Sequence, residues 1–311
     1  MNKNMVDVLI PLYKPGGELF TLIARLKEQT IKPNRIILIN TEKKYFDQLV
    51  SGIDFLKQYG DLVSVYHIEK CDFDHGKTRH LAVTKSNASI FMMMTQDALP
   101  ADQYLIENLL KPLSDENTVV AYARQLPAED CNVIEKYTRK FNYPEKSRVK
   151  TQKDMTELGI KTYFCSNVCA AYKRSAYDKQ GGFIRHTIFN EDMIYAAGAI
   201  KSGYAISYAA EARVIHSHNY TCVQQFKRNF DLGVSQADNP HIFDGVPSEK
   251  EGKKMVSMTI RYLRMNHYVH LIPGYILHCI CRYMGYVLGK HYKRLPMFFI
   301  KKCTSSPAYW Q

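Results

Sequence analysis

Asp97 ends the run Ile90-Phe91-Met92-Met93-Met94-Thr95-Gln96-Asp97, where five apolar residues give way to a polar tripeptide before Ala98-Leu99-Pro100 turns the chain. An unbroken apolar run of this length predicts a strand buried on both faces. Ligands of open α/β sheets sit at the carboxyl ends of such strands, so an acid there faces a crevice that a metal or phosphate can enter. The alternative is a solvated turn carboxylate. His216-Ser217-His218 ends a second apolar stretch, and histidines two apart on a strand end face one side. Asp97 and His216, with His218 nearby, make a hard-cation site if folding joins them. Mg²⁺ and Mn²⁺ take carboxylate oxygen, Mn²⁺ tolerates imidazole, and a substrate diphosphate completes the shell. Each histidine alone also reads as a satisfied polar residue at a strand edge.

Glu191-Asp192 precedes a predicted helix from Met193 to Lys201. A carboxylate suits a helix N-terminus and its dipole. Capping accounts for one acid; the second is a candidate general base, provided it reaches the proton it removes. Two further polar clusters are Asn40-Thr41-Glu42 and Asp74-His75-Gly76-Lys77-Thr78-Arg79. There is no G-x-G-x-x-G after the first strand and no G-x-x-x-x-G-K-[ST], which excludes a dinucleotide fingerprint and a Walker-type NTPase. The first loop, Pro11-Leu12-Tyr13-Lys14-Pro15-Gly16-Gly17, is too stiff to wrap a pyrophosphate but offers backbone groups and an aromatic ring to a base.

The elements that must position these residues alternate. Strands are predicted at Val6–Ile10 (closed by Pro11), Arg35–Ile39, Val63–His67 and the run ending at Asp97. Helices are predicted at Leu19–Gln29, Tyr45–Tyr59 and Thr78–Ser86. That alternation over about 100 residues argues for a doubly wound, mostly parallel sheet. Strands at Val119–Ala123 and Tyr204–Ile215 and a helix at Gln224–Leu232 follow, with a polar stretch over 127–162 between. The expected division is a catalytic domain over 1–237, a polar linker over 238–254 and a basic helical region over 255–311.

These clusters carry a family resemblance. The stretches Phe73-Asp74-His75-Gly76-Lys77-Thr78-Arg79, Met94-Thr95-Gln96-Asp97-Ala98-Leu99-Pro100, Arg124-Gln125-Leu126-Pro127, Phe141-Asn142-Tyr143-Pro144, Asn190-Glu191-Asp192-Met193 and His216-Ser217-His218-Asn219-Tyr220 resemble those of family 2 glycosyltransferases, over roughly residues 5–240. The closer likeness is to bacterial rhamnosyltransferases of cell-wall or surface polysaccharide. The resemblance implies a GT-A (Rossmann-like) fold and an inverting enzyme that uses a nucleotide-diphosphate sugar, dTDP-rhamnose favoured over UDP- or GDP-linked sugars, with Mg²⁺ or Mn²⁺. It implies that Pro11 and Tyr13 line the base and that Asn40 and Glu42 contact base and ribose. Asp74, Gly76 and Arg79 would close over the nucleotide, Arg79 also stabilising the leaving diphosphate. Thr95-Gln96-Asp97 stands in place of the D-x-D motif, with Thr95 where its first acid is usual. Asp192 matches the catalytic base with Glu191 beside it, His216 the late metal ligand, and His218 the second choice.

Composition is that of a soluble globular protein, 46% hydrophobic and 23% charged. The N-terminal apolar run is too quickly broken by Pro11 for a signal peptide. Eight cysteines without C-x-x-C spacing then read as reduced thiols of a cytoplasmic protein. The net charge of +12 is concentrated: residues 253–311 hold ten Lys and Arg and no acid, leaving about +2 for the first 252. Leu271–Gly289 contains Pro273, His278 and Arg282, a poor spanning helix but a fair interfacial one. The expected partners are the sugar donor, a glycan or lipid-linked glycan acceptor, an anionic membrane at the inner face of the plasma membrane and, as an option, a second copy. Nucleic-acid binding is a rival reading of the basic, tyrosine-rich tail, but it leaves the strand-end acids unexplained and no zinc-finger, RRM or KH signature supports it. A nucleotidyltransferase is the rival among enzymes; Lys14-Pro15-Gly16-Gly17 only thinly imitates its loop.

Overall fold

The computed structural model describes residues 6–245 and 249–311. Its first half alternates as expected: β1 (Val6–Tyr13), α1 (Glu18–Lys27), β2 (Arg35–Thr41), α2 (Lys43–Leu49), α3 (Phe55–Tyr59), β3 (Val63–Ile68), α4 (His75–Thr84) and β4 (Ile90–Met94). A two-residue β5 (Leu99–Pro100), α5 (Leu105–Leu113), β6 (Thr118–Leu126), α6 (Val133–Asn142), β7 (Arg148–Lys150) and α7 (Met155–Leu158) follow. Then come β8 (Cys169–Lys173), α8 (Arg174–Lys179), α9 (Glu191–Lys201), β9 (Ala205–Ile215) and α10 (Cys222–Asp238). The chain ends in α11 (Pro240–Phe243), α12 (Glu249–Met265), α13 (Ile272–Lys290) and α14 (Met297–Cys303).

The strands form one sheet in the order β3-β2-β1-β4-β8-β6-β9-β5, with β7 on β9. β1, β2, β3, β4, β6 and β9 run one way; β5, β7 and β8 run against them. Both faces are covered. Leu19, Leu22 and Leu26 of α1 join Leu105 and Leu109 of α5 on one side. Ala82 of α4, Tyr177 of α8 and Tyr195 of α9 pack on the other. Two-sided burial is why β4 carries no polar residue and is buried throughout.

Several expected boundaries move for local reasons. β1 runs through Pro11 to Tyr13, because pairing with β4 ends at Leu9 and the missing Pro11 N–H costs no bond on that side. The helix expected over 45–59 splits at Gly52, whose φ of +81° breaks it, and Leu56 is left exposed. The polar stretch 127–162 holds α6, β7 and α7. The expected linker holds α11, with Ile242 and Phe243 buried, and the start of α12; residues 246–248 lie outside the described residues.

The basic C-terminal region docks on α10. Phe230 and Val234 of α10 share a small core with Ile300 and Cys303 of α14. A Cβ at Gly285 would meet the Phe226 carbonyl and one at Gly289 the Phe230 carbonyl, so α13 and α10 touch nearly backbone to backbone. The opposite face of α13 stays exposed, with Leu277, Ile280, Tyr283 and Met284. By length and composition alone, Val269–Lys290 could cross a membrane.

Candidate active site

Parallel strands end at a common sheet edge, and this brings the polar clusters together. Tyr13 ends β1, Asn40 lies at the end of β2, Thr95 follows β4, Gln125 lies near the end of β6 and His216 follows β9. β8 runs the other way, so the residues just before it, Ser166 and Asn167, lie at the same edge. The Thr95 N–H donates to the Val168 carbonyl at 3.2 Å and ties the Asp97 turn to that entry segment.

Asp97, His216 and His218 meet. The Asp97 Oδ2 atom lies 3.5 Å from His216 Nε2 and 3.2 Å from His218 Nε2, and the two Nε2 atoms are 3.1 Å apart. Burial pushes the Asp97 carboxyl up, but the two imidazoles beside it outweigh this and hold the acid well below its usual range. Burial presses His216 toward its neutral form, against the pull of Asp97. His216 Nδ1 sits 3.0 Å from Gln125 Oε1. Arg139 Nη1 donates to that same oxygen, and Gln125 Nε2 donates to Ser166 Oγ at 3.0 Å. Arg139 cannot accept, so the Gln125 oxygen faces it, and His216 must carry its hydrogen on Nδ1. The Nε2 lone pair is thereby aimed at Asp97 and His218.

Asn190 adopts the left-handed conformation (φ +65°) and starts α9 with Glu191 and Asp192 in its first turn. The two acids have different surroundings. Glu191 is buried, its Oε1 3.0 Å from Arg79 Nε and accepting from Asn167 Nδ2 at 3.0 Å. Burial raises its carboxyl, but Arg79, His75 and Asn167 overcome this and hold it low. Asp192 is only partly buried; its Oδ2 accepts from the Asn167 N–H at 2.9 Å and its Oδ1 from the Met193 N–H at 2.7 Å. Burial first, and the Glu191 charge second, push its carboxyl well above the ordinary range. The Ser166–Asn167 segment thus links Asp192 through Gln125 to His216 and Asp97.

A cavity of about 940 Å³ adjoins the ends of β1 and β2 and the start of α4, lined by Tyr13, Thr41, Lys70, Phe73 and Asp74. Tyr13 packs edge-on against Tyr45 at 5.9 Å. Gln96 bonds both ways to the Tyr13 backbone, at 2.9 and 3.1 Å, so its amide fixes Tyr13 instead of reaching a ligand. Pro11 lies half-buried inside β1. Asn40 donates to the Glu42 carbonyl and approaches His67, while its own Oδ1 and the Thr41 hydroxyl are buried without a partner. Buried polar atoms left unpaired mark a place where a ligand would complete the bonding. Glu42 pairs with Lys44 at 2.9 Å.

Three expected nucleotide contacts have structural duties. Asp74 caps α4 through Gly76 and Lys77 N–H and also accepts from the Thr187 N–H at 3.0 Å. Gly76 has no room for a side chain, since a Cβ would strike the Ile184 carbonyl. Arg79 is buried and engaged by Glu191 and the His75 carbonyl, so it is not a free cation for a leaving group. Of the three, Asp74 also lines the cavity.

Residues 7–181 match glycosyl transferase family 2. The chain is a family 2 glycosyltransferase. It is 40% identical to the O-antigen chain rhamnosyltransferase RfbN of Salmonella typhimurium, over 98% of this chain and 96% of that protein. It is 36% identical to the O-antigen chain rhamnosyltransferase WbaN of Salmonella anatum, over 97% and 95%. Among solved structures, a mannosyltransferase from Pyrobaculum calidifontis with GDP-Man and Mn²⁺ superposes with a TM-score of 0.61 at 14% identity, covering 93% of this chain and 86% of that one. S. aureus TarS superposes at 0.54 and 13% identity, covering 93% and 91%. These likenesses show that the glycosyltransferase has the GT-A fold.

Side chains of the enzyme fit a divalent cation. One carboxylate oxygen and two imidazole nitrogens lie within 4.8 Å of one another, and one imidazole has its tautomer fixed for ligation. Asp97 remains 43% exposed at its side chain, which leaves a side open for substrate oxygens. Gln125, Arg139 and Asn167 were given no role from sequence. Their signal was position: Gln125 lies in a strand-end stretch the family resemblance had singled out, and Asn167 directly precedes an apolar run.

Proposed function

We propose that this glycosyltransferase is an inverting rhamnosyltransferase. It transfers L-rhamnose from dTDP-rhamnose to a hydroxyl of a glycan acceptor during surface polysaccharide synthesis. The observation that carries this reading is the 40% identity, over nearly full length, to an O-antigen chain rhamnosyltransferase. Asp192 is the general base. Its raised pKa keeps it near the working range of a base, and it is the less buried of the two acids. It takes the proton of the acceptor hydroxyl as that oxygen attacks the anomeric carbon, and dTDP leaves from the opposite side. Glu191, held as a carboxylate by Arg79, keeps Asp192 basic and orients Asn167, whose N–H fixes Asp192. Asp97, His216 and His218 would hold the cation, whose charge offsets that developing on the diphosphate. Two imidazoles and one carboxylate favour Mn²⁺ over Mg²⁺.

The acceptor is lipid-linked in this reading, and the enzyme sits peripherally on the cytoplasmic leaflet. The apolar outer face of α13 and a groove of about 1410 Å³ between α10, α12 and α13, edged by Arg261, Arg264 and Arg282, support it. Each basic residue near anionic lipid contributes about 1 kcal/mol. Product formation with dTDP-rhamnose, UDP-glucose, UDP-galactose and GDP-mannose tests the proposal. Turnover with dTDP-rhamnose is the expected result; turnover with a UDP- or GDP-linked sugar in its place would replace the rhamnosyl reading.

A further inference from the structure

The cavity beside Tyr13 has a second wall that comes from the far end of the chain. Lys301, Ser305, Pro307 and Tyr309 face it across from Tyr13 and Asp74. We propose that the C-terminal tail, residues 305–311, is the outer wall of the nucleoside-diphosphate site and closes on the bound nucleotide. The proposal rests on the donor reading above.

Two anchors hold the tail there. Asp231 of α10, buried, accepts from Thr304 Oγ1 at 2.6 Å, from Ser305 Oγ at 2.6 Å and from the Ser305 N–H at 2.9 Å. Charge-assisted bonds of this kind are about twice as strong as neutral ones, so the tail's root is fixed in one direction. At the other end, Tyr309 stacks on His186 with ring centres 4.5 Å apart and planes 7° apart. His186 Nδ1 in turn lies 3.3 Å from Asp74 Oδ2, the carboxylate that caps α4 on the opposite wall. The tail is therefore tied to the catalytic half at both ends and spans the mouth between them. Pro307 removes backbone freedom in the span. The cavity it encloses falls within the 300–1,000 Å³ range of small-molecule sites. Lys301 makes no ion pair among the described residues and, with Lys70 across the cavity, supplies the positive charge a diphosphate requires; of the two acids in the lining, Glu69 and Asp74, the second is engaged by His186 and the Thr187 N–H.

The test uses the full chain and a chain ending at Thr304, each with Mn²⁺ and dTDP, UDP or GDP. In the full chain, amide hydrogen exchange over 305–311 should slow at least fivefold when the preferred nucleotide saturates the site. In the shortened chain, the Kd for that nucleotide should rise at least tenfold while the Kd for Mn²⁺ alone stays within threefold. Should the shortened chain fail to fold, Tyr309→Ala combined with Lys301→Gln replaces it with the same expectation. A nucleotide that binds the full chain without slowing tail exchange, or binds the variant within twofold of the full chain, overturns the proposal alone. Failure of all three nucleotides to bind the full chain overturns the donor reading and this proposal with it.

Discussion

Replacing Gln125 with Leu should cost the glycosyltransferase 10- to 100-fold in Mn²⁺ affinity without touching a ligand atom. The side chain carries one acceptor oxygen shared by His216 Nδ1 and Arg139 Nη1, and its amide donates to Ser166 at 3.0 Å. Leu offers no acceptor, so nothing holds the His216 hydrogen on Nδ1. The other tautomer places it on Nε2, between Asp97 and His218, where it blocks ligation. Loss of such an outer partner typically costs 10- to 100-fold in metal affinity, which is about 1.4–2.8 kcal/mol. Gln125→Glu keeps an acceptor for both neighbours and should bind Mn²⁺ within severalfold of the parent. The assay is a titration of Mn²⁺ alone, followed by electron paramagnetic resonance of the free ion, with thermal unfolding to verify that each variant is folded. Equal affinity in the parent and Gln125→Leu would refute the claim that Gln125 sets the His216 tautomer.

Other outcomes follow from the same geometry. Asp192→Asn should lower kcat by at least about 10²-fold with dTDP-rhamnose affinity nearly unchanged; substantial remaining turnover would remove Asp192 from the role of base. As the proposed base, Asp192 works ionised and its pKa is raised, so kcat/KM should fall as pH drops through a value well above the usual carboxylate pKa of about 4. Glu191→Gln removes the neighbouring charge, so that acid limb should move to lower pH; an unmoved limb would deny the coupling. Gly289→Val meets the Phe230 carbonyl and should destabilise the docked C-terminal helices by about 1–3 kcal/mol in urea unfolding, and parent-like stability would mean α13 does not pack as described.

The sheet was legible because two-sided burial leaves a plain mark: Ile90–Met94 has no polar residue to obscure it. The gathering of Asp97 and His216 followed from strand ends alone, since parallel strands deliver their carboxyl ends to one edge. What sequence could not give was set by contacts between distant residues. Arg79 reads as a cation for a phosphate until its Glu191 partner, 112 positions away, is seen to occupy it. Gln96 reads as part of a metal motif, yet it is spent on the Tyr13 backbone. Gly76 belongs to the segment expected to close over the nucleotide, and its missing side chain makes room for the Ile184 carbonyl. The break at Gly52 was masked by apolar spacing that continues through Ile53 and Leu56, both exposed. The docking of the C-terminal helices depends on Gly233 in α10, where a Cβ would meet the Tyr286 carbonyl, and on Gly285 and Gly289 in α13, whose spacing signals nothing until the helices meet.

In the proposed reading, the Asp97, His216 and His218 cluster and the cavity lined by Tyr13, which Gln96 ties to the Asp97 turn, serve one cation-assisted nucleotide-sugar site. Calorimetric titration of dTDP-rhamnose into the enzyme, with Mn²⁺ and then with EDTA, tests it most directly. Binding should weaken at least tenfold in EDTA and be equally weak in Asp97→Ala whether or not Mn²⁺ is added. Affinity that is the same in EDTA and in Mn²⁺, or Mn²⁺-enhanced binding that survives in Asp97→Ala, would contradict it.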